Sequence, residues 1–152
     1  MKLTVQLRPM SVTDAKAVAE LLSEQGPVLT VDDIAERFSR LATTQEQLVC
    51  VAELEGWIVG LCQVHGIRAI AGESHAEIST LAVAGGFQRR GIGRQLVERA
   101  QDWALAAGYP LLRLGDKASR TEAHRFFEAI GFVRGEACYP FVRQVLGGLA
   151  TP

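Results

Sequence analysis

The sequence has few of the features that mark specialised classes of protein. Its three cysteines, Cys50, Cys62 and Cys138, show neither metal-ligand spacing nor the even count of a disulfide framework, which argues against a secreted scaffold. No stretch approaches the roughly 20 apolar residues needed to cross a bilayer. The first residues alternate polar and apolar side chains instead of forming the apolar run of a signal peptide. We therefore expect a soluble, cytoplasmic protein with no membrane partner.

The chain also has no excess of charge of either sign. Sixteen basic residues stand against seventeen acidic ones, for a net charge of −1. Nothing in this balance suggests a nucleic-acid partner, so any functional basic residue must act locally. With 152 residues, of which 48% are hydrophobic, the chain is long enough to bury one substantial core. We expect a single domain over residues 1–152.

The hydrophobic pattern predicts a mixed α/β domain built around one sheet. In chain order the elements are a strand, two helices, three strands, a helix, a strand, a helix and two final strands. Strands are predicted at residues 3–7, 48–54, 57–67, 76–83, 111–114, 132–133 and 139–145, and helices at about 11–24, 30–41, 92–107 and 119–130. The pair Glu55-Gly56 is typical of a hairpin turn, and Gly131 is typical of a helix end.

A glycine-containing turn at residues 88–93 carries the main chemical signal. It follows a predicted strand, leads into the most clearly amphipathic helix, and contains Gly91 and Gly93. A helix start presents unpaired N–H groups and positive dipole charge, and glycine allows a phosphate to approach the backbone. Spacing alone leaves two interpretations equal: a phosphate site, or a tight turn with solvated arginines. The P-loop pattern is absent and the dinucleotide fingerprint is incomplete.

Two segments resemble a known family. Gln88-x-x-Gly91-x-Gly93 matches the Gln/Arg-x-x-Gly-x-Gly/Ala signature of the GNAT acyltransferase superfamily, and it stands between the central strand and the next helix as in that family. The segment from Ala123 to Phe132 resembles the family's Ala-x-x-Phe-Tyr-x-x-x-Gly-Phe element. The resemblance is specific over about residues 76 to 132. It implies an α/β fold with a mostly antiparallel sheet of about seven strands and about four helices.

The resemblance also implies acetyl-CoA as co-substrate, with no metal. Backbone N–H groups of Gln88, Arg89, Arg90, Gly91, Ile92, Gly93 and Arg94 would hold the pyrophosphate. The strand end at Leu81, Ala82 and Val83 would pair with the pantetheine arm, and an N–H there could polarise the thioester carbonyl. Arg120 stands where many members have asparagine near the pantetheine. It could reach a phosphate or the substrate, or simply be solvated.

The implied reaction requires a neutral amine, so a general base is needed. Glu77 is the candidate, because it is the acidic residue inside the predicted central strand, where family members often carry glutamate. Simple alternation would place it on the face of Ser79 and Leu81. The alternative is an exposed glutamate without a chemical role. His75, two residues earlier, could contribute to proton transfer.

One departure from the family concerns the general acid. Phe127 replaces the family tyrosine, and a phenyl ring cannot donate a proton. Tyr139 could supply a replacement hydroxyl. The same departure supports a different hypothesis, a non-catalytic module that binds or senses acyl-CoA. A phosphate-binding protein of another kind is the third hypothesis.

The leading prediction is an N-acetyltransferase that transfers acetyl from acetyl-CoA to a primary amine of a small molecule or peptide within a ternary complex. The acceptor stays open. Asp32, Asp33 and Glu36 could attract a cationic amine, although favourable first-turn charges of a helix explain them equally well. A homodimer through the C-terminal strands would fit the family.

Overall fold

The computed structural model describes residues 3–26, 28–115 and 120–147. The chain divides into two compact units, residues 1–115 and 116–152. All strands of the described residues lie in the first unit and form one sheet in sequence order. The first four strands pair antiparallel, and the fifth pairs parallel to the fourth. The mixed, mostly antiparallel sheet is therefore confirmed.

The bounds of the elements agree closely with the hydrophobic pattern. The first unit contains β1 (Gln6–Pro9), α1 (Ala15–Ser23), α2 (Val31–Leu41), β2 (Gln47–Leu54), β3 (Trp57–Ile67), β4 (His75–Val83), α3 (Ile92–Ala107) and β5 (Leu112–Leu114). Short 3-10 turns precede α1 and follow β4. Glu55 and Gly56 both have positive φ and join β2 to β3, as the hairpin prediction required.

Different helices cover the two faces of the sheet. On one face, α1 and α2 cover an apolar cluster that includes Val51, Leu61 and Ala82. On the other face α3 packs against β3, and Gly60 allows this close approach. A Cβ at Gly60 would lie 2.9 Å from Leu96 Cδ1 and 3.2 Å from Ile92 Cγ2. Ile92 and Leu96 are fully buried, so this contact is central to the core.

A bulge in β4 changes which side chains share a face. Gln63 pairs with Thr80 but Val64 pairs with Ile78, so Ser79 is an extra residue in β4. Since paired residues lie on one face, Glu77 shares its face with Thr80, and Ile78 shares the opposite face with Leu81. The expectation from simple alternation, with Glu77 beside Leu81, is wrong because the extra residue reverses the alternation.

The second unit, by itself, contains one helix, α4 (Thr121–Ala129). Gly131, with φ of 105°, ends it: its N–H donates to the Glu128 carbonyl, and the Phe132 N–H donates to the Phe127 carbonyl. Ser119, the predicted start of this helix, lies outside the described residues.

The strand count differs from the prediction. The described residues form five strands and four α-helices, because neither residues 132–133 nor 139–145 form a strand. An apolar pattern predicts a strand only where a neighbouring strand accepts its hydrogen bonds, and none does here within the described part of the second unit. Among the residues described, no helix is long and apolar enough to span a membrane.

Candidate active site

The loop before α3 has the backbone shape of an anion-binding turn. Arg89 and Gly91 adopt positive φ, at 63° and 84°, on either side of Arg90. Gly91 is the N-cap of α3, and it has no side chain to accept hydrogen bonds from the first turn. The first N–H groups of a helix have no partner within the helix, and a left-handed turn gathers neighbouring N–H groups into a concave site. The loop therefore offers backbone donors at the positive end of a helix dipole.

Hydrogen bonds hold the carbonyls of this loop. The Leu3 N–H donates to the Arg90 carbonyl over 2.9 Å. The backbone and side-chain nitrogens of Gln95 both donate to the Gly91 carbonyl, each over 3.1 Å. The Gly85 N–H donates to Glu24 Oε2 over 3.2 Å, which ties the start of the loop to the end of α1. These bonds tie the loop to the N-terminal segment, to α3 and to the end of α1.

Local positive charge accompanies the N–H groups. Arg89, Arg90 and Arg94 are all exposed. Arg94 pairs with Glu98 over 3.2 Å, whereas neither Arg89 nor Arg90 forms an ion pair with a described residue. The side chain of Gln88 points back to the strand, where its Nε2 donates to the Val83 carbonyl over 3.4 Å. Two unpaired guanidinium groups beside a helix start suit a pyrophosphate, so the residues present fit the coenzyme that the motif implies.

The end of β4 is open on its β5 side. The ladder between β4 and β5 pairs Ala76, Glu77 and Ile78 with residues 112–114 and extends no further among the described residues. β4 itself continues to Val83. Because the Ala84 N–H donates toward β3, strand alternation directs the N–H groups of Leu81 and Val83 toward the open side. An extended ligand arm can therefore pair with this strand end as an added strand.

Glu77 lies between two histidines. Glu77 Oε2 is 3.8 Å from His65 Nε2, and Glu77 Oε1 is 4.0 Å from His75 Nε2. The Glu77 side chain is 38% exposed, while that of His75 is 11% exposed and its buried Nδ1 has no hydrogen-bond partner among the described residues. Glu77 thus combines access to solvent with two neighbouring imidazoles. Such a group can accept a proton from a substrate and pass it on.

His65 is the residue that sequence reasoning missed. It is twelve positions from Glu77 in the chain, and the β3–β4 register makes the two direct partners. The bulge at Ser79 sets that register, and no pattern of residues in the sequence predicts the bulge. Two successive strands, β3 and β4, indicate that the strands pair as neighbours, but this succession does not determine which residues face each other.

The acidic residues near α2 have structural partners. Thr30 caps α2, since the Asp33 N–H donates to Thr30 Oγ1 and the Thr30 N–H donates to Asp33 Oδ2. Arg40 pairs with Glu36 over 2.8 Å. These contacts favour the helix-terminus interpretation for Asp33 and Glu36, while Asp32 lies exposed in the first turn. We therefore do not include these three acidic residues in the candidate acceptor site.

Three predicted site residues belong to the second unit. Arg120 is the N-cap residue of α4, and Tyr139 is 85% exposed in the segment after it. Phe127 is half-buried on α4, with its ring 5.6 Å from that of Phe126 and 6.1 Å from that of Phe132. The structure assigns none of these residues a chemical role, so their roles stay predictions.

The thiols of the first unit are poor nucleophile candidates. Cys50 and Cys62 are partners across β2 and β3 and both are buried. Burial raises the pKa of Cys62 to about 12, with a smaller contribution from Cys50. Only a thiolate attacks an acyl group efficiently, so these residues do not suit a covalent acyl-enzyme route. Among the described residues, no group of three or more metal-ligating side chains forms a metal site.

Comparison with known proteins identifies the family. The model of the acetyltransferase (GNAT) family matches residues 15–132. N-acetylaspartate synthetase of Rattus norvegicus is 30% identical over 82 residues, which cover 54% of this chain and 26% of that protein. The uncharacterized N-acetyltransferase YhdJ of Bacillus subtilis is 29% identical over 93 residues, which cover 55% of this chain and 66% of that protein. The chain thus spans about a quarter of the synthetase and two thirds of YhdJ.

A solved structure supports the same fold. The aminoglycoside N-acetyltransferase AAC(6')-Iy in complex with CoA superposes with a TM-score of 0.82 at 16% identity, covering 93% of this chain and 96% of that one. The fold defines a class of α/β domain, with a mixed sheet and helices on both of its faces. The chain belongs to the acetyltransferase (GNAT) family, a family of acyl-CoA-dependent N-acetyltransferases.

Proposed function

We propose that this protein transfers an acetyl group from acetyl-CoA to a primary amine, with both substrates bound at once. The observation that carries the proposal is the join of β4 to α3. Among the described residues, a strand end with no partner on one side leads within a few residues into a helix start with two left-handed residues and two arginines that form no ion pair. This arrangement suits a ligand with an extended amide-containing arm and a pyrophosphate. CoA has both.

Each part of the site then has a task. The N–H groups from Gln88 to Arg94 hold the pyrophosphate, and the Leu81 and Val83 N–H groups pair with the pantetheine arm. The bound thioester supplies the acyl group. Glu77 takes a proton from the ammonium form of the acceptor, whose ordinary pKa is about 10.4, so that a neutral amine is available at neutral pH.

Departure of the thiolate needs no strong general acid. A thiol has an ordinary pKa of about 8.5, so a thiolate is a tolerable leaving group near neutral pH. This explains how the reaction proceeds with Phe127 in place of the family tyrosine. We assign Tyr139 as the hydroxyl that assists the step, and Arg120 as a contact of the coenzyme.

We further propose that residues 1–152 act as one acyltransferase domain in the cytoplasm. The family match runs from residue 15 to residue 132 and so includes parts of both units. A homodimer through the C-terminal segment is also proposed. Size-exclusion chromatography with light scattering tests that last point.

The coenzyme site is tested by a matched pair of glycine variants at the two ends of α3. Gly91 has φ of 84° and ψ of 3°, and Gly108 has φ of 86° and ψ of 20°. Replacing either by Glu imposes similar left-handed strain, of about 1–2 kcal/mol. Only Gly91→Glu also places a negative charge beside the pyrophosphate. We expect calorimetry to show loss of acetyl-CoA binding in Gly91→Glu and retention in Gly108→Glu. Equal affinity of the two variants for acetyl-CoA would contradict the assignment of the pyrophosphate site to this loop.

Glu77 is tested by Glu77→Gln, with Glu73→Gln as the control. Both changes remove one negative charge, and Glu73 is exposed in the loop before β4. We expect kcat to fall about 10²- to 10⁴-fold in Glu77→Gln, since that is the usual contribution of a general base. Acetyl-CoA affinity should not change, and Glu73→Gln should behave as wild type. An unchanged kcat in Glu77→Gln would exclude Glu77 as the general base.

The second candidate function is a non-catalytic acyl-CoA module, favoured by the phenyl ring of Phe127 in place of a hydroxyl. It shares the coenzyme site and differs in turnover. Release of CoA thiol in the presence of an amine panel separates the two. Tight acetyl-CoA binding without thiol release on any amine would establish the module and exclude the enzyme.

A further inference from the structure

Three polar residues, with the assigned base in the middle, form a row across neighbouring strands. In the β3–β4 ladder His65 is the partner of Glu77, and in the β4–β5 ladder Arg113 is the partner of Glu77. Paired residues lie on one face, so Arg113, Glu77 and His65 stand side by side. Adjacent strands are about 4.8 Å apart, so this row spans about 10 Å. A small molecule can touch all three positions.

Arg113 is the accessible cation of this row. It is exposed, whereas its neighbours Leu112 and Leu114 are half-buried and lie on the opposite face with the buried residues Ala76 and Ile78. Within the described part of the chain, the Arg113 guanidinium forms no ion pair or hydrogen bond.

Four other arginines of the first unit have a carboxylate partner. Arg8, Arg40, Arg68 and Arg94 each pair with a carboxylate. Arg113, like Arg89 and Arg90, has no such partner among the described residues although Glu77 is its strand partner, so its guanidinium is available to a ligand.

The charges in this part of the face select against a polycation. Glu77 is the carboxylate of the row, and its neighbours are the Arg113 guanidinium, the His65 imidazole and, two residues along β4, the His75 imidazole. A second positive charge on the acceptor would lie next to the Arg113 guanidinium, which repels it, and not next to another carboxylate. A carboxylate next to the reacting amine would meet the planar fork of Arg113, which matches carboxylate geometry.

We propose that Arg113 binds a carboxylate of the acceptor, and that the acceptor is a small amino acid whose amine faces Glu77. This inference rests on the proposed function, because it deepens the role of the same site. In an α-amino acid the amine and the carboxylate are separated by a single carbon. Neighbouring strand positions are close enough to contact both groups at once.

Equilibrium binding tests this inference without requiring turnover. The probes are L-aspartate, L-alanine, L-alaninamide and spermidine, titrated by calorimetry into protein saturated with CoA. We expect at least one amino acid to bind more tightly than the amide and spermidine. Arg113→Gln should weaken its binding about 10- to 100-fold, the usual range for a charge-assisted hydrogen-bonded pair. Arg113→Lys should restore part of the affinity, because it keeps the charge but not the fork.

The control variant is Lys16→Gln, which removes one positive charge from an exposed position on α1. It should bind the amino acid as wild type does, and thermal unfolding should show all variants folded. Three results would overturn the inference: an amide that binds as well as its acid, an Arg113→Gln protein with unchanged affinity, or no binding of either amino acid.

Failure of the inference and failure of the proposed function are distinguishable. A protein that binds acetyl-CoA and acetylates spermidine or an amide keeps the proposed function but not the role of Arg113. A protein that binds amino acids through Arg113 but does not bind acetyl-CoA keeps the carboxylate site and loses the acetyltransferase reaction.

Discussion

Asp14 shows how one buried carboxylate connects the start of α1 to the sheet. Arg8 Nη1 donates to Asp14 Oδ2 over 2.8 Å and Arg8 Nη2 donates to Asp14 Oδ1 over 2.9 Å, a two-bond contact. The Ser11 N–H also donates to Asp14 Oδ2 over 2.9 Å. The hydrogen bonds from Arg8, aided by that from Ser11 and opposed by burial, hold the pKa of Asp14 below its usual value. The ionised form is therefore favoured in the folded protein.

Asp14→Asn is expected to destabilise the protein by about 2–3 kcal/mol at neutral pH, because it removes charge-assisted bonds and leaves Arg8 without this partner. The contribution of Asp14 is fully present above its unfolded pKa, near the ordinary value of 3.8. It is lost as pH falls through the lower folded pKa. Urea unfolding from pH 7 to pH 2.5 measures this, and the difference between the wild type and the variant should narrow toward the acid end. A constant difference at every pH would contradict the assignment.

At the scale of elements, the contact of α3 with β3 positions the loop that we propose binds the coenzyme. Ile92 is the first residue of α3 and is fully buried against the sheet at Gly60. The start of the helix therefore has little freedom to move away from the end of β4. This contact keeps the helix N–H groups next to the open strand edge, where the proposed ligand needs both.

Gly60→Ala is expected to destabilise the protein by about 1–3 kcal/mol, since the added methyl would overlap Leu96 and press on Ile92. Gly26→Ala is the matched control, because nothing lies within 4 Å of a Cβ at that position. Chemical denaturation measures both. We also expect weaker acetyl-CoA binding in Gly60→Ala, as α3 must shift. A variant as stable as the control would show that the packing adjusts freely.

At the scale of the whole molecule, ligand binding should stabilise the folded chain. The proposed coenzyme contacts come from β4, its following loop and α3, and these groups are assembled only when the first unit is folded. A ligand that binds the folded state at 100 times its Kd adds about 2.7 kcal/mol of stability. For a chain of this size that corresponds to a rise of about 5–10 °C in Tm.

Thermal unfolding with and without acetyl-CoA checks this expectation. Gly91→Glu should show no rise, whereas Gly108→Glu should show the full rise from a lowered starting value. Identical shifts in the two variants would place the binding site elsewhere in the molecule.

The sequence by itself determined the features that depend on local physics. The alternating and helical patterns located all five strands and four helices of the described chain to within a few residues. Glu55-Gly56, Gly108 and Gly131 mark turns and helix ends because their backbones need positive φ. The turn at residues 88–93 was recognisable for the same reason, since a helix start and its glycines are neighbours in the chain.

Only the tertiary structure decided which distant residues meet. The bulge at Ser79 reverses the face of Glu77 and sets its pairing with His65, and the β4–β5 ladder places Arg113 on its other side. No local sequence pattern predicts these contacts, because a bulge inserts a single extra residue and leaves the hydrophobic pattern almost unchanged. The apolar pattern of residues 139–145 likewise predicted a strand that the described residues do not form, since a strand depends on its partner.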